Sequence, residues 1–423
     1  MIAVALSVLY VLFIAGLLGF ACVSLWWMVH VWTSPELVRA STFVSQPAPG
    51  LPLSFTLLVP ARHEQNVLAD TLAGLAAQRY PRLQIIVIVG ADDPATTAVA
   101  ERLSARFPAR IDVVVDPAPQ SKPGALNVAL PHVRGEIVGI FDAEDEVHPD
   151  LLAAIDRQFR ATGADIVQAG VQLMNHDSSW YALRNVLEYY FHFRSRLHRY
   201  AELGLVPLGG NTVFARTGAI RRIGGWDTDC LAEDCDLGIR MSSAGARVAV
   251  CYDADLVTRE ETPDTLASFV RQRTRWNQGF LQVLRKGDWA RLRTGRQRVL
   301  ARLVLAMPFL QAFTGLAVVV ALVTILWLQV PIGLALFSFT PLIPLLATLA
   351  VEVAALREFC AVYGRRARIV DHARLIIGAF PYQMLLAAAA VRAVARERRG
   401  ERGWEKTAHH GLHRAPARVE STA

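Results

Sequence analysis

The sequence predicts an α/β domain, Rossmann-like, set between N-terminal and C-terminal membrane helices. Three observations carry that expectation. Short apolar runs rich in β-branched residues alternate with amphipathic stretches, the pattern of a parallel sheet covered by helices on both faces. Residues 1–35 and 303–351 contain no Asp, Glu, Lys or Arg. Polar clusters follow the apolar runs at the end where sheets of this class bind ligands.

Taken in order, residues 1–35 lack a basic n-region and run too long for a cleaved leader, so they read as an uncleaved anchor. "STFVSQPAPGLP" (41–52) reads as a linker. "FTLLVPA" (55–61), "QIIVIVG" (84–90), "RIDVVVD" (110–116) and "EIVGIFD" (136–142) read as buried strands. Segments 66–79, 95–107 and 123–132 read as the helices between them. The uncharged run 303–351 holds 49 residues. As one helix it would be about 73 Å long at ~1.5 Å per residue, roughly twice a hydrocarbon core. It therefore reads as two helices with a break near "LQVPIG" (328–333). A third uncharged run, 375–391, is 17 residues long and carries Pro381. It reads as an in-plane or re-entrant helix, with a third C-terminal span as the alternative.

Basic segments flank the long run on both sides, "RKGDWARLRTGRQRVLAR" before it and "REFCAVYGRRARIVDHAR" after it. The positive-inside rule places both in the cytoplasm. The expected organisation is an anchor over 1–35, a cytosolic domain over 36–300 ending in an amphipathic interface helix, two membrane helices over 301–356, a basic loop and last apolar segment over 357–400, and a cytosolic tail over 401–423. The last dozen residues read as disordered. Apolar residues make up 53% and charged residues 19%, a skew toward membrane proteins. The net charge of +7 sits mostly beside the apolar runs, so membrane lipid accounts for it without nucleic acid. The five cysteines show neither a C-x-x-C pair nor zinc spacing, which suits a reducing cytosol and ordinary burial.

The acidic clusters carry the chemistry. "FDAEDEVHPD" (141–150) closes the fourth strand with five carboxylates. Asp142 and Glu144, two apart, can point the same way and hold a divalent cation; all-oxygen ligands suit Mg²⁺ or Mn²⁺. The alternative is a solvated acidic turn, with Asp145 and Glu146 at the start of the next helix. "LAEDCDLGIRM" (231–241) places Glu233 and Asp234 before an amphipathic segment, as helix caps or with a general base among them. Asp236 and Arg240 have the spacing of a surface ion pair. In "RQRTRWNQGF" (271–280), Gln272, Arg275 and Trp276 share one helical turn. Arg offers a fork for phosphate oxygens and Trp a flat face for a sugar; a basic helix lying on a membrane is the competing reading. The histidines at 176, 192, 198, 409 and 410 show no metal spacing, and "LEYYFHF" (187–193) reads as packing.

"DAE", "AEDCDLG" and "QRTRW", in that order between membrane spans, resemble the membrane-integrated family 2 glycosyltransferases, among them cellulose-synthase-like, hyaluronan-synthase-like and bacterial exopolysaccharide synthases. "VPARHEQ" (59–65), "SKPGALNVAL" (121–130), "LGGNTVFAR" (208–216) and "WEKTAHHG" (404–411) agree. The resemblance covers roughly residues 50–290 plus "WEKT". It implies a cytosolic GT-A (Rossmann-like) domain. It makes Asp142 and Glu144 the metal ligands, with Glu in the second place of Asp-x-Asp, and Asp142 a donor contact as well. Asp234 becomes the catalytic base of Thr-Glu-Asp, with Ala232 in the Thr place. Glu233, Gln272, Arg275 and Trp276 fall on the diphosphate and acceptor side. Lys122 lies near the donor phosphates, and His63 and Glu64 in a donor-contacting loop. Asp93 takes the nucleotide-base contact, although "GADDPATT" departs from Asp-Asp-Gly-Ser.

The implied activity is metal-dependent, inverting transfer from a nucleotide-diphospho sugar, a UDP-sugar by preference, to a growing polysaccharide or glycan at the inner face of the cell membrane. Transfer of one sugar to a lipid or lipid phosphate is the alternative. A nucleotide-sugar sensor and a transporter subunit rank lower. A transporter needs polar groups inside its spans, and the 49-residue run has no charged one.

Overall fold

The computed structural model describes residues 2–29, 51–118, 121–327, 331–403, 405, 411, 413 and 414. Among these residues nine strands form: β1 Phe55–Ala61, β2 Leu83–Gly90, β3 Ile111–Asp116, β4 Ile137–Ile140, β5 Ile166–Ala169, β6 Val171–Leu173, β7 Val213–Arg216, β8 Val248–Cys251 and β9 Thr258–Glu260. Seven of them make one sheet in the order β3-β2-β1-β4-β7-β5-β8, and β6 pairs with β9. The first four predicted strands are parallel neighbours, with Leu57 opposite Ile85 and Gly139.

Side chains alternate between two cores. Leu58, Ile86 and Val138 pack on one face, and Leu57, Val59 and Ile85 on the other. A strand buried on both sides reads as an unbroken apolar run, which is why these were visible in sequence. The predicted helices form as Leu68–Ala76, Pro94–Arg106 and Lys122–Ala129.

The sheet is mixed, where the alternation predicts a parallel one. β7 runs antiparallel to both β4 and β5, with Val213 opposite Ile140. The chain after β6 travels through the Ala182–Phe191 helix and returns at the C-terminal end of β4, so "VFAR" enters from that end and runs back.

Among the described residues, three helical stretches are long and apolar enough to cross a membrane: Val8–Val29, Gly295–Ala317 and Ile332–Val362. The helices Ile369–Ile377 and Ala379–Arg398 meet at a 50° bend and make a fourth when taken together. Within the predicted break, residues 328–330 lie outside the described residues, and Pro331 caps the next helix. The linker over 41–50 and most of "WEKTAHHG" also lie outside them. All five cysteines are free thiols.

The basic segment after residue 391 is used internally as well as at the surface. Arg392 and Arg396 both pair with Glu405 at 2.6 Å, and Arg285 pairs with Glu397 at 2.9 Å. The end of the chain is also not all loose. Arg414 donates to Val67 O at 3.0 Å and to Thr71 Oγ1 at 2.6 Å, and the His413 side chain is fully buried beside Glu261. Composition alone hid this, because single polar residues dock here on backbone carbonyls.

Candidate active site

The strand ends, two helix starts and the middle of a third helix help line one cavity of about 1080 Å³. From β1 come His63 and Glu64. His63 sits at φ 56°, a left-handed conformation that costs energy in a non-glycine residue. Its backbone N–H donates to the Asp93 carboxylate, which holds the loop.

Asp93 itself does not line the cavity. It is 3% exposed and caps the Pro94–Arg106 helix, accepting from Thr96 N–H at 3.2 Å. Burial would raise its carboxyl, but hydrogen bonds from Thr96 and His63 outweigh that and hold it below the usual range. The predicted base contact is therefore a structural cap here. Asp116, at the end of β3, does line the cavity.

Ser121 caps the Lys122–Ala129 helix. Lys122 reaches from its first position across the strand ends to the Asp142 carboxylate and, at 2.8 Å, to Gly210 O. Burial alone would pull this ammonium down. Asp142, Glu233 and Asp234 together hold it well above its ordinary value. Lys122 is thus the positive centre among three carboxylates.

Asp142 and Glu144 both line the cavity. The turn that carries them is braced from below. Asp145, 1% exposed, accepts from Asp142 N–H at 2.8 Å and from Asn211 Nδ2 at 2.9 Å. Glu146 and Arg259 exchange backbone hydrogen bonds at 3.1 and 2.9 Å, tying the turn to β9. Asp145 is therefore a buried brace and Glu146 part of a bridge; neither is the solvated helix cap weighed for them. Two carboxylates with only oxygen donors fit an ion such as Mg²⁺ or Mn²⁺, which completes its shell with substrate phosphate.

Glu233 and Asp234 begin the Glu233–Ser243 helix, and both face the cavity. Burial, then the Asp234 charge, pushes Glu233 up to about 7, against Lys122 and Arg275 pulling it down. Burial also raises Asp234. The Asp236–Arg240 pair is buried rather than superficial: the contact is 2.6 Å, Asp236 is 1% exposed, and Lys286 joins it.

Thr265 caps the Leu266–Lys286 helix, which presents Gln272, Arg275 and Trp276 to the cavity. Burial holds Arg275 below its ordinary value, although the charges of Glu233, Asp142 and Asp234 act to raise it. The Arg273 guanidinium lies 4.9 Å from the Trp276 ring centre and fixes the indole. Gln282 Oε1 accepts from Leu231 N–H at 2.9 Å, locking this helix to the start of the acidic one.

Comparison with known proteins now decides the family. The family model described as "Glycosyltransferase like family 2" matches residues 52–279, more than half of the chain. The chain belongs to glycosyltransferase family 2. It is 27% identical over 230 residues to a beta-monoglucosyldiacylglycerol synthase of Synechocystis sp., covering 53% of this chain and 47% of that one. It is 21% identical over 241 residues to a poly-beta-1,6-N-acetyl-D-glucosamine synthase of Staphylococcus epidermidis, covering 56% and 57%. The match spans about half the length of these curated relatives. The mannosyltransferase PcManGT of Pyrobaculum calidifontis, solved with GDP-Man and Mn²⁺, superposes with a TM-score of 0.58 over 93% of this chain and 99% of that one, at 21% identity. This likeness shows the GT-A fold.

Several groups in the glycosyltransferase cavity went unread in the sequence. Asn211 and Glu260 bond to each other beneath the acidic turn. Glu188 pairs with Arg273, and Arg184 with Glu352 at 2.7 Å. Arg184, Asn185 and Glu188 have the spacing of one helical face, the signal that was present beside "LEYYFHF".

Proposed function

We propose that this glycosyltransferase moves a sugar, with inversion, from a nucleotide-diphospho sugar to a hydroxyl acceptor at the inner face of the cell membrane. One observation carries the reading: Lys122, Asp142, Glu144, Glu233, Asp234, Gln272, Arg275 and Trp276 all line a single cavity.

The donor lies across the strand ends, its base toward Asp116 and its diphosphate toward Lys122 and Arg275. Asp142 and Glu144 would hold Mg²⁺ or Mn²⁺, which as a Lewis acid offsets charge on the departing diphosphate. Lys122 and Arg275 add two fixed positive groups to that anion. Asp234 takes the proton from the acceptor hydroxyl as its oxygen attacks the anomeric carbon from the opposite face. A single in-line displacement turns an α-linked donor into a β-linked product. Trp276 offers its face to the acceptor.

The cavity continues between apolar side chains of the candidate spans, including Leu17, Phe20, Met307 and Leu345. That opening favours an acceptor carried on a lipid over a free glycan. The apolar helices are read as a multi-pass membrane domain with the catalytic domain on the cytoplasmic side.

The test incubates membranes containing the enzyme with a panel of nucleotide sugars and Mg²⁺ or Mn²⁺. Release of nucleoside diphosphate names the donor, and sizing of the labelled product separates one addition from a polymer. Failure of every donor to turn over overturns the reading.

A further inference from the structure

The cavity's cations divide into two groups. Lys122 is matched by Asp142, Arg184 by Glu352, and Arg273 by Glu188. Arg275 faces Glu233, Asp142 and Asp234. Arg196 also lines the cavity; its buried Nε lacks a hydrogen-bond partner, as do those of Arg184, Arg273 and Arg275, but unlike Arg184 and Arg273 it enters no ion pair among the described residues. A guanidinium at a cavity wall with no carboxylate partner can receive an anionic group of a ligand.

Its surroundings fix the depth. Arg196 ends the one-turn π-helix His192–Arg196, a distortion often found at functional sites. Nearby, Trp27 at the end of the N-terminal apolar helix packs against Tyr200, with ring centres 5.1 Å apart and planes tilted by 57°. Trp and Tyr mark the headgroup level of a bilayer. Burial, with Arg196 and Arg273 adding to it, pushes His192 down to about 3. His192 is therefore neutral, and the positive charge here belongs to Arg196.

We propose that Arg196 binds a phosphoryl group of the acceptor, and that the acceptor is a lipid carrying a phosphodiester or diphosphate next to its tails and a hydroxyl-bearing ring beyond it. This rests on the reading of Asp234 as the base. A bare lipid phosphate is already an anion and needs no base, whereas a ring hydroxyl does. A neutral glycerolipid supplies the hydroxyl but leaves the guanidinium unmet. The phosphoryl lipid satisfies both ends of the cavity, because an arginine fork pairs two phosphate oxygens at once.

The test uses the full chain in phosphatidylcholine nanodiscs with two acceptors, a polyprenyl-diphosphate-linked monosaccharide and diacylglycerol. The wild type prefers the phosphoryl acceptor at least tenfold in kcat/KM. Arg196→Gln abolishes that preference, and Arg196→Lys, which keeps the charge without the fork, retains only part of it. An equal preference in wild type and Arg196→Gln overturns the proposal. Binding is read in the same samples by displacement of a fluorescent polyprenyl-diphosphate sugar, which needs no turnover. A tenfold weaker affinity in Arg196→Gln supports the site, and unchanged affinity overturns it even if no donor is turned over. Competition by phosphatidylglycerol as strong as that of the unlabelled phosphoryl acceptor assigns Arg196 to bulk headgroups and overturns the acceptor role. Donor turnover without charge discrimination removes Arg196 alone and leaves the transferase reading standing.

Discussion

Glu233 and Asp234 share one helix start and the same two cations, Lys122 and Arg275, so their protons are linked. With Glu233 raised to about 7, the pair gains a proton as pH falls through that value. Burial raises Asp234 as well, so transfer should drop on the acid side, in a limb where that base takes up its proton. In Glu233→Gln the neighbouring negative charge is gone, which favours ionised Asp234 and moves the limb to lower pH. A pH–rate profile unchanged by Glu233→Gln removes the coupling. Asp234→Asn should lose about 10²–10⁴-fold in kcat, the usual worth of a general base, with donor affinity retained. A radiolabelled-sugar assay beside a donor-binding titration checks it, and wild-type turnover by the variant removes Asp234 from that role. The acidic clusters were visible as clusters, five carboxylates in ten residues closing one strand, while the roles given to single residues came from the resemblance. Asp93 misled because a capping Asp and a ligand-facing Asp look alike in one dimension. Asp116 gave no signal, being a single polar residue at the end of an ordinary apolar run, and Asn211 was seen only within "LGGNTVFAR", without a role.

At the scale of elements, the distance between the Leu266–Lys286 helix and the start of the Glu233–Ser243 helix sets the site. A Cβ on Gly279 would lie 2.4 Å from both Ala232 Cβ and Ala232 N, a contact that forces the helices apart. Gly279→Ala should then cost about 1–3 kcal/mol as an overpacked contact and also lower kcat, since Asp234 and Arg275 ride on the two helices. Thermal melting and initial rates measure the two effects; a variant with wild-type values for both would show that the helices yield freely. No sequence rule exposes this contact, because Gly279 reads as an ordinary helical glycine. The four leading strands and their helices were legible for the opposite reason: burial on both faces leaves a long apolar signature. Strand direction leaves none, so β7 was missed as the antiparallel insertion between β4 and β5.

Across the whole molecule, the last described residues return to the first layers of the catalytic domain. Gly411 N–H donates to Glu261 Oε1 at 3.0 Å. Arg414 then reaches Val67 O and Asp70 Oδ2, each at 3.0 Å, and Glu144 O, also at 3.0 Å. Thr71, which accepts from Arg414, donates in turn to Ala143 O at 2.7 Å. One side chain from the end of the chain thus joins the Leu68–Ala76 helix to the backbone of the acidic turn. Hydrogen bonds from a charged donor contribute about 1.5–3 kcal/mol each when well made. Their loss should loosen the positions of Asp142 and Glu144 without touching the base. Arg414→Ala is accordingly expected to lower the melting temperature. It should also raise the donor KM and the Mn²⁺ concentration for half-maximal rate several-fold, with kcat at saturation nearly unchanged. Initial-rate titrations of donor and metal measure this. A variant with unaltered donor and metal dependence shows that the acidic turn holds its shape without the chain end.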